Sequence, residues 1–285
     1  MDREKIIEDY LSRHTPEMIF GSMANDNGNL IIEPEELDSF IEKDPQSKKF
    51  IRRLMGSKEF IQNIPRYCLW LVDSTPNELR SIKPIRERVE AVRKYRLASK
   101  RAATRKLADT PWLFGEIRQP KSGNYLIVPR VSSERREYIP IGFLDSETIA
   151  TDAVQILLNA TLDRFGIMTS SVHMAWMRTV CGRLKSDYRY SNTLVYNNFP
   201  WPEPNDSQRA IIEQSAQSIL EIRSHYPNSS LADLYDPLIM PYELRKAHEA
   251  NDKAVMKAYG FSSDMEESEI VAELMKMYKK LTEGK

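Results

Sequence analysis

Hydrophobic positions follow two different rhythms along this chain, and the change comes near Pro204. Beyond it, Ser207–Tyr226, Ser230–Ala258 (broken near Pro237 and Pro241) and Glu266–Leu281 repeat apolar residues at helical spacing with acidic outer faces, so three amphipathic helices are predicted. Before it, the pattern is shorter and mixed. The opening residues read as a short helix or linker. Asn27-Gly28 marks a turn, Leu30-Ile31-Ile32 a short strand, and Pro34 the first turn of a helix to about Lys43. Lys48–Ser57 reads as a further short helix and RYCLWLVD (66–73) as a buried strand. Ser74-Thr75-Pro76 signals the start of a long basic helix interrupted by Pro84. WLFGEIRQ, NYLIVPRV and EYIPIGFL are β-branched and aromatic runs that predict strands. TDAVQILLNATLDRF (151–165) has helical spacing, and Asn192–Tyr196 reads as a strand before the sharp exit PWPEP. These elements give an α+β fold: an irregular mixed α/β domain over residues 1–204, then a small all-α domain over 205–285.

Composition narrows the classes. With 285 residues, 41% hydrophobic and 29% charged, the chain is an ordinary globular sequence. It has no apolar run of about 18 residues and its start has no signal-peptide core, and Cys68 and Cys181 lack metal-ligand spacing. They read as reduced core thiols of a cytoplasmic protein. A formal net charge of zero conceals an uneven distribution. From Glu203 onward 10 Lys/Arg face 15 Asp/Glu, whereas Arg80–Lys106 holds 11 basic residues against Glu87 and Glu90. Such a local stripe is compatible with a surface that tracks phosphates.

The densest chemistry lies in SSVHMAWMRTVCGRLKSDYRYSNTLVYNNFPWP, Ser170 to Pro202. Cations that donate to guanine, carboxylates that accept from cytosine and aromatics that stack are all present, the side-chain types that read base edges. Catalytic signatures are missing. The ten glycines form neither G-x-G-x-x-G nor a P-loop, and no zinc-type spacing occurs. Ser132-Ser133-Glu134-Arg135-Arg136 has no elbow and no assignable base. Asn197-Asn198-Phe199-Pro200 is only superficially like the Asn-Pro-Pro-aromatic loop of an amine methylase. His14, His225 and His248 sit in polar contexts and read as surface residues, while His173 reads as a packed, structural one.

The blocks GSMANDNGNLIIEPEE, GSKEFIQNIPRYCLWLVD, VPRVSSERREYIPIGFL, the Ser170–Pro202 segment and LADLYDPLIMPYELRKAHEANDKAVMKAYGF resemble, in order, the C-terminal third of MmeI-like type II (IIG/IIL) restriction–modification enzymes. These join an endonuclease, a helical spacer, an adenine-N6 methyltransferase, a target recognition domain and a C-terminal helical domain. The resemblance implies a sequence-specific DNA recognition module without the methyltransferase and nuclease motifs, a fragment or truncated product of such an enzyme. No catalytic residue is assigned. The resemblance implies double-stranded DNA as partner and a methyltransferase domain in cis, or in trans if the chain stands alone. It implies no cofactor or metal here; S-adenosylmethionine, with magnesium as an open second, belongs to the full-length enzyme.

In that family the residues beside the GRL block vary with the target sequence. Lys185 and Asp187 occupy those places, and at i and i+2 of an extended segment they point the same way and are expected to read one G·C pair. Arg189 is expected at a neighbouring pair. Ser132, Ser133, Arg135 and Arg136 are expected on the DNA backbone, as are Arg93, Arg96, Lys100, Arg101 and Arg105 on one helix face. His173, Trp176, Phe199 and Trp201 are expected to be framework. Two other readings stay open: a stand-alone specificity subunit, and a helical interaction protein with no DNA role.

Overall fold

The computed structural model describes residues 16–283; the expected opening helix or linker, with His14, lies outside the described residues. In chain order the strands are β1 (Met18–Phe20), β2 (Ile31–Ile32), β3 (Ile51–Met55), β4 (Tyr67–Leu69), β5 (Asn124–Pro129), β6 (Val131–Ser132), β7 (Gly142–Asp145), β8 (Ile149–Ala150), β9 (Val154–Leu158), β10 (Gly182–Leu184) and β11 (Asp187–Arg189). The helices are α1 (Leu37–Lys43), α2 (Ser57–Gln62), α3 (Pro76–Ser81), α4 (Lys83–Leu97), α5 (Ala102–Lys106), α6 (Leu162–Met168), α7 (Ser171–Val180), α8 (Asp206–Ser224), α9 (Leu231–Leu234), α10 (Tyr242–Tyr259) and α11 (Glu267–Glu283). The fold is α+β. Two compact units share the chain, one from Phe20–Gly123 with Asp145–Val154, the other from the residues up to Ile19, Asn124–Leu144 and Gln155 onward.

The first unit is built on the sheet β2-β4-β3-β8, antiparallel except where Leu54 and Met55 pair in parallel with Ile149 and Ala150. A helix was expected over Lys48–Ser57, but a 3-10 turn (Pro45–Phe50) leads there into strand β3. Its Leu54 and Met55 are buried, its first three residues pair with β4 and its last two with β8, so tertiary context overrides local propensity. WLFGEIRQ likewise forms no strand and contributes only an isolated bridge, Met23 with Glu116. The Thr75 signal holds: its hydroxyl caps α3 and Glu78 returns the bond to the Thr75 amide. The expected interruption is present: Ile82 is extended between α3 and α4, and Pro84 sits in the first turn of α4, where no amide donor is needed.

The second unit centres on the sheet β1-β9-β5-β7. Tyr125 through Val128 of β5 are buried without alternation, as in a strand covered on both faces. β9 replaces the first half of the helix expected over 151–165. Val154, Ile156 and Leu157 are an apolar run too short for periodicity to distinguish strand from helix, and Asn159 ends it in the left-handed region (φ 54°). Only Leu162–Met168 is helical. EYIPIGFL yields strand from Gly142 onward, and Asn192–Tyr196 is a π-helical turn rather than a strand. α8, α10 and α11 form the helical part, and α6 meets α8 at Gly166. A Cβ there would lie 2.7 Å from Ile212 Cγ2 and 2.9 Å from Asn251 Oδ1. Asn251 on α10 donates to the Gly166 carbonyl (2.8 Å) and its side-chain oxygen accepts from Ser215 (3.0 Å), tying three helices through buried, satisfied polar groups.

Candidate nucleic-acid interface

The segment rich in base-reading residue types folds as a hairpin. β10 and β11 pair antiparallel, Leu184 opposite Asp187 and Arg183 opposite Tyr188, so Lys185 and Ser186 form a two-residue turn with Lys185 at φ 56°. The expected extended i, i+2 arrangement is therefore corrected: Lys185 caps the tip and Asp187 starts the returning strand. Paired residues share a face of the ribbon, which puts Leu184, Asp187 and Arg189 on one side and Arg183 with Tyr188 on the other. Lys185 and Arg189 are exposed and Asp187 is half-buried. Leu184 is 51% exposed at the tip. Arg183, which the sequence did not single out for a role, braces the turn. Its guanidinium lies 4.2 Å from the Tyr188 ring centroid, donates to the Ser186 carbonyl (3.0 Å) and approaches Glu134 (3.8 Å).

β11 also pairs with β6, Tyr188 opposite Ser132, and this brings the SSERR loop beside the hairpin. Ser132 is only 2% exposed and accepts from Arg136 Nη1 at 3.4 Å, so its hydroxyl serves the fold and is withdrawn from the expected DNA-backbone set. Ser133 Oγ accepts from the Arg135 amide in a local turn (3.3 Å), which leaves the Arg135 side chain exposed. Arg136 is half-buried. Burial pulls its guanidinium below the usual value, while the Asp187 and Asp236 carboxylates pull it back up. It is the cation between the Asp187 carboxylate of the hairpin and the Asp236 carboxylate of the helical part of its unit.

An aromatic frame carries the hairpin. His173, Trp176, Phe199 and Trp201 are all buried. His173 Nε2 meets the Tyr190 hydroxyl at 3.0 Å, directly after β11, and its ring stands edge-on to Phe199 at 4.5 Å. Burial lowers the His173 pKa to about 3, so the ring is neutral. Trp176 Nε1 donates to the Val195 carbonyl (3.0 Å), and Phe199 meets Trp201 at 5.2 Å. The expectation of a surface His248 is corrected. It is buried, stacked on Tyr138 at 4.1 Å, with Nε2 at 2.8 Å from the Tyr235 hydroxyl. Polar flanks on α10 hid its place on the inner face.

In the other unit the expected single cationic face is divided. Arg93 and Arg96 belong to α4, Lys100 and Arg101 to the link and Arg105 to α5. Arg96 is corrected outright: it is 0% exposed and donates to the carbonyls of Ala24, Asn25, Leu107, Thr110 and Leu113 at 2.8–3.1 Å. The signal was available, since Ile85, Val89, Val92 and Arg96 follow the 4-3-4 spacing of the apolar stripe. Arg105 spends one terminal nitrogen on the Ser99 and Lys100 carbonyls (both 2.9 Å). Arg93, Lys100 and Arg101 are exposed. Among the described residues no group of His, Cys, Asp or Glu is placed to hold a metal, and no helix is long and apolar enough to cross a membrane.

Comparison with known proteins accounts for nearly the whole chain. Residues 7–203 match the model of the MmeI target recognition domain and residues 204–284 that of the MmeI C-terminal domain. The chain belongs to the MmeI family. It is 39% identical over 272 residues to DNA methyltransferase A of Bacillus subtilis (strain 168), covering 94% of this chain and 30% of that protein. The type IIL restriction–modification enzyme MmeI, solved in complex with DNA, is 45% identical with a TM-score of 0.91, over 94% of this chain and 36% of that one. The chain thus spans about a third of the length of these relatives, the third that in the MmeI family comprises target recognition and C-terminal domains.

Proposed function

We propose that this chain reads DNA sequence for a type II modification and restriction enzyme, with the β10–β11 hairpin entering the major groove. The observation that carries the reading is the hairpin itself, a braced two-residue tip that presents Lys185, Asp187 and Arg189 from a rigid aromatic frame. The MmeI structure in complex with DNA supports duplex DNA as the ligand. In this reading the Lys185 ammonium donates to guanine O6 or N7 and the Asp187 carboxylate accepts from cytosine N4 across the tip, while Arg189 addresses a neighbouring pair. Arg135 and Ser133, beside the hairpin, meet phosphates, as do Arg93, Lys100, Arg101 and Arg105 in the other unit. Arg136 places a positive charge near Asp187 at the base of the hairpin. The relatives' length supports a methyltransferase in cis over a stand-alone subunit. S-adenosylmethionine, and any magnesium, then belong to that remainder, and the enzyme works in the cytoplasm, where it meets its DNA.

Duplex binding measured across salt tests the role: affinity should fall steeply as salt rises, because bound counterions are released from the phosphates. Selection from a random duplex pool tests the residues. Exchanging Lys185→Glu together with Asp187→Arg should invert the preferred base at one position and leave the others. An unchanged selected motif would remove both residues from base reading.

A further inference from the structure

The second unit carries an exposed apolar turn apart from the hairpin. Among the described residues the three most exposed large hydrophobic side chains are Leu238 (81%), Tyr242 (72%) and Ile239 (63%). All three fall within the turn from α9 into the start of α10. Clustered exposure of this kind marks a contact surface rather than ordinary surface scatter. The turn is built to hold its shape. Asp236 Oδ1 accepts from the Leu238 amide (2.9 Å), and the Asp236 carbonyl accepts from the amides of Ile239 (3.2 Å) and Met240 (2.9 Å). Pro237 and Pro241 fix φ on either side. Arg245 reaches the Pro237 carbonyl (3.4 Å) with one terminal nitrogen and Glu137 (2.8 Å) with the other. Two aliphatic side chains are thereby presented in advance of any ligand, with little left to order on binding.

Its neighbours indicate what it meets. Arg136, fixed on Ser132 opposite Tyr188 of β11, feels the carboxylates of both Asp187 in the hairpin and Asp236 in this turn. Glu137, next along the same loop, holds Arg245. The SSERR loop therefore connects the base-reading ribbon to the apolar turn. The acidic groups at the turn's base have internal partners: Asp236 as above, Glu243 the Tyr226 hydroxyl, and Asp233 the amide and hydroxyl of Ser230. The tip, Leu238-Ile239, carries no charge.

We propose that Leu238 and Ile239 form an apolar wedge that seats in the minor groove of the bound duplex, against a base step, one groove over from the hairpin. This rests on the DNA-reading role given above. Leucine, isoleucine and proline are the side chains that enter minor grooves and unstack base steps, and unstacking widens the surface the protein can cover. The backbone between the two grooves then passes Ser133 and Arg135. Tyr242, with Lys246 Nζ 5.4 Å from its ring centroid, stands beside the wedge at the start of α10.

The test uses the full chain and its selected duplex, with 2-aminopurine placed at successive steps in and beside the site. Binding should raise fluorescence at one step, where stacking is lost. Leu238→Ser with Ile239→Ser should abolish that rise and weaken binding about tenfold or more, with the salt slope unchanged because no phosphate contact is removed. Both positions are on the surface, and an unchanged circular dichroism spectrum verifies the fold. If the wild type binds with steep salt dependence but the double variant matches it in affinity and fluorescence, the wedge is overturned and the turn docks a protein surface. If the wild type binds no duplex at all, the reading of the preceding subsection falls and the wedge falls with it.

Discussion

Arg96 and Arg101 lie five residues apart and do opposite things. Arg96 fills a socket of five carbonyl oxygens, and Arg101 stands exposed between two helices. Arg96→Ala would strand acceptors that each cost about 1–3 kcal/mol when buried unpaired, so a loss of at least roughly 3 kcal/mol is expected in urea unfolding. Arg101→Ala should leave stability within about 0.5 kcal/mol and lower the salt slope of DNA binding by about one unit. A destabilised Arg101→Ala, or a stable Arg96→Ala with altered slope, would reverse the two assignments. Both arginines look alike as letters in a basic run. They part only when the run is laid on the helix, where Arg96 continues the stripe of Ile85, Val89 and Val92. Lys185 and Asp187 are legible as a chemical pair, but their geometry is not. Lys-Ser lacks the Asn-Gly or Asp-Gly signature of a two-residue hairpin, and the left-handed residue is a lysine.

At the scale of elements, the contact of α6 with α8 and α10 sets how the helical part is held. It depends on one missing methyl group. Gly166→Ala places a Cβ 2.7 Å from Ile212 Cγ2 and 2.9 Å from Asn251 Oδ1, so the helices must part or the Asn251 bond to the Gly166 carbonyl must bend. Overpacking of this kind costs about 1–3 kcal/mol, to be read as a lower urea midpoint. Gly166→Ala with unaltered stability would show that the contact yields easily. Elements with strong local signals were legible: the helix start at Ser74-Thr75-Pro76, Pro34 in a first turn, the interruption at Pro84, and the amphipathic α8, α10 and α11. Those decided by partners were not. β3 and β9 are strands because of what lies on either side of them, and a run of five apolar or mixed residues does not state that. The π-helical turn over Asn192–Tyr196 depends on Trp176 and its bond to the Val195 carbonyl, which no local pattern encodes.

At the scale of the whole molecule, one hydrophobic core runs without interruption from Met18, Leu126 and Tyr188 through Phe199 to Ile212, Leu244 and Leu274. It crosses the join between the two family models at residues 203 and 204. A chain ending at 203 would therefore lose the residues that cover Phe165, Gly166 and Phe199. We expect it to bind hydrophobic dyes and to lose the thermal transition of the second unit, which the full chain should show, while the first unit keeps its own core; a 1–203 chain with both transitions intact would refute this. On the proposed reading, in which the hairpin reads bases, the same continuity limits how new specificities arise. Recombination between two such genes at the join would bring together two halves of a core that never evolved to fit, and most crossover products would be lost to misfolding before their DNA preference mattered. Single substitutions on the hairpin meet no such barrier, because Lys185 and Arg189 face outward from a frame they do not help to fill. Diversification by scattered point changes, with the helical cover inherited intact, is the path this architecture leaves open.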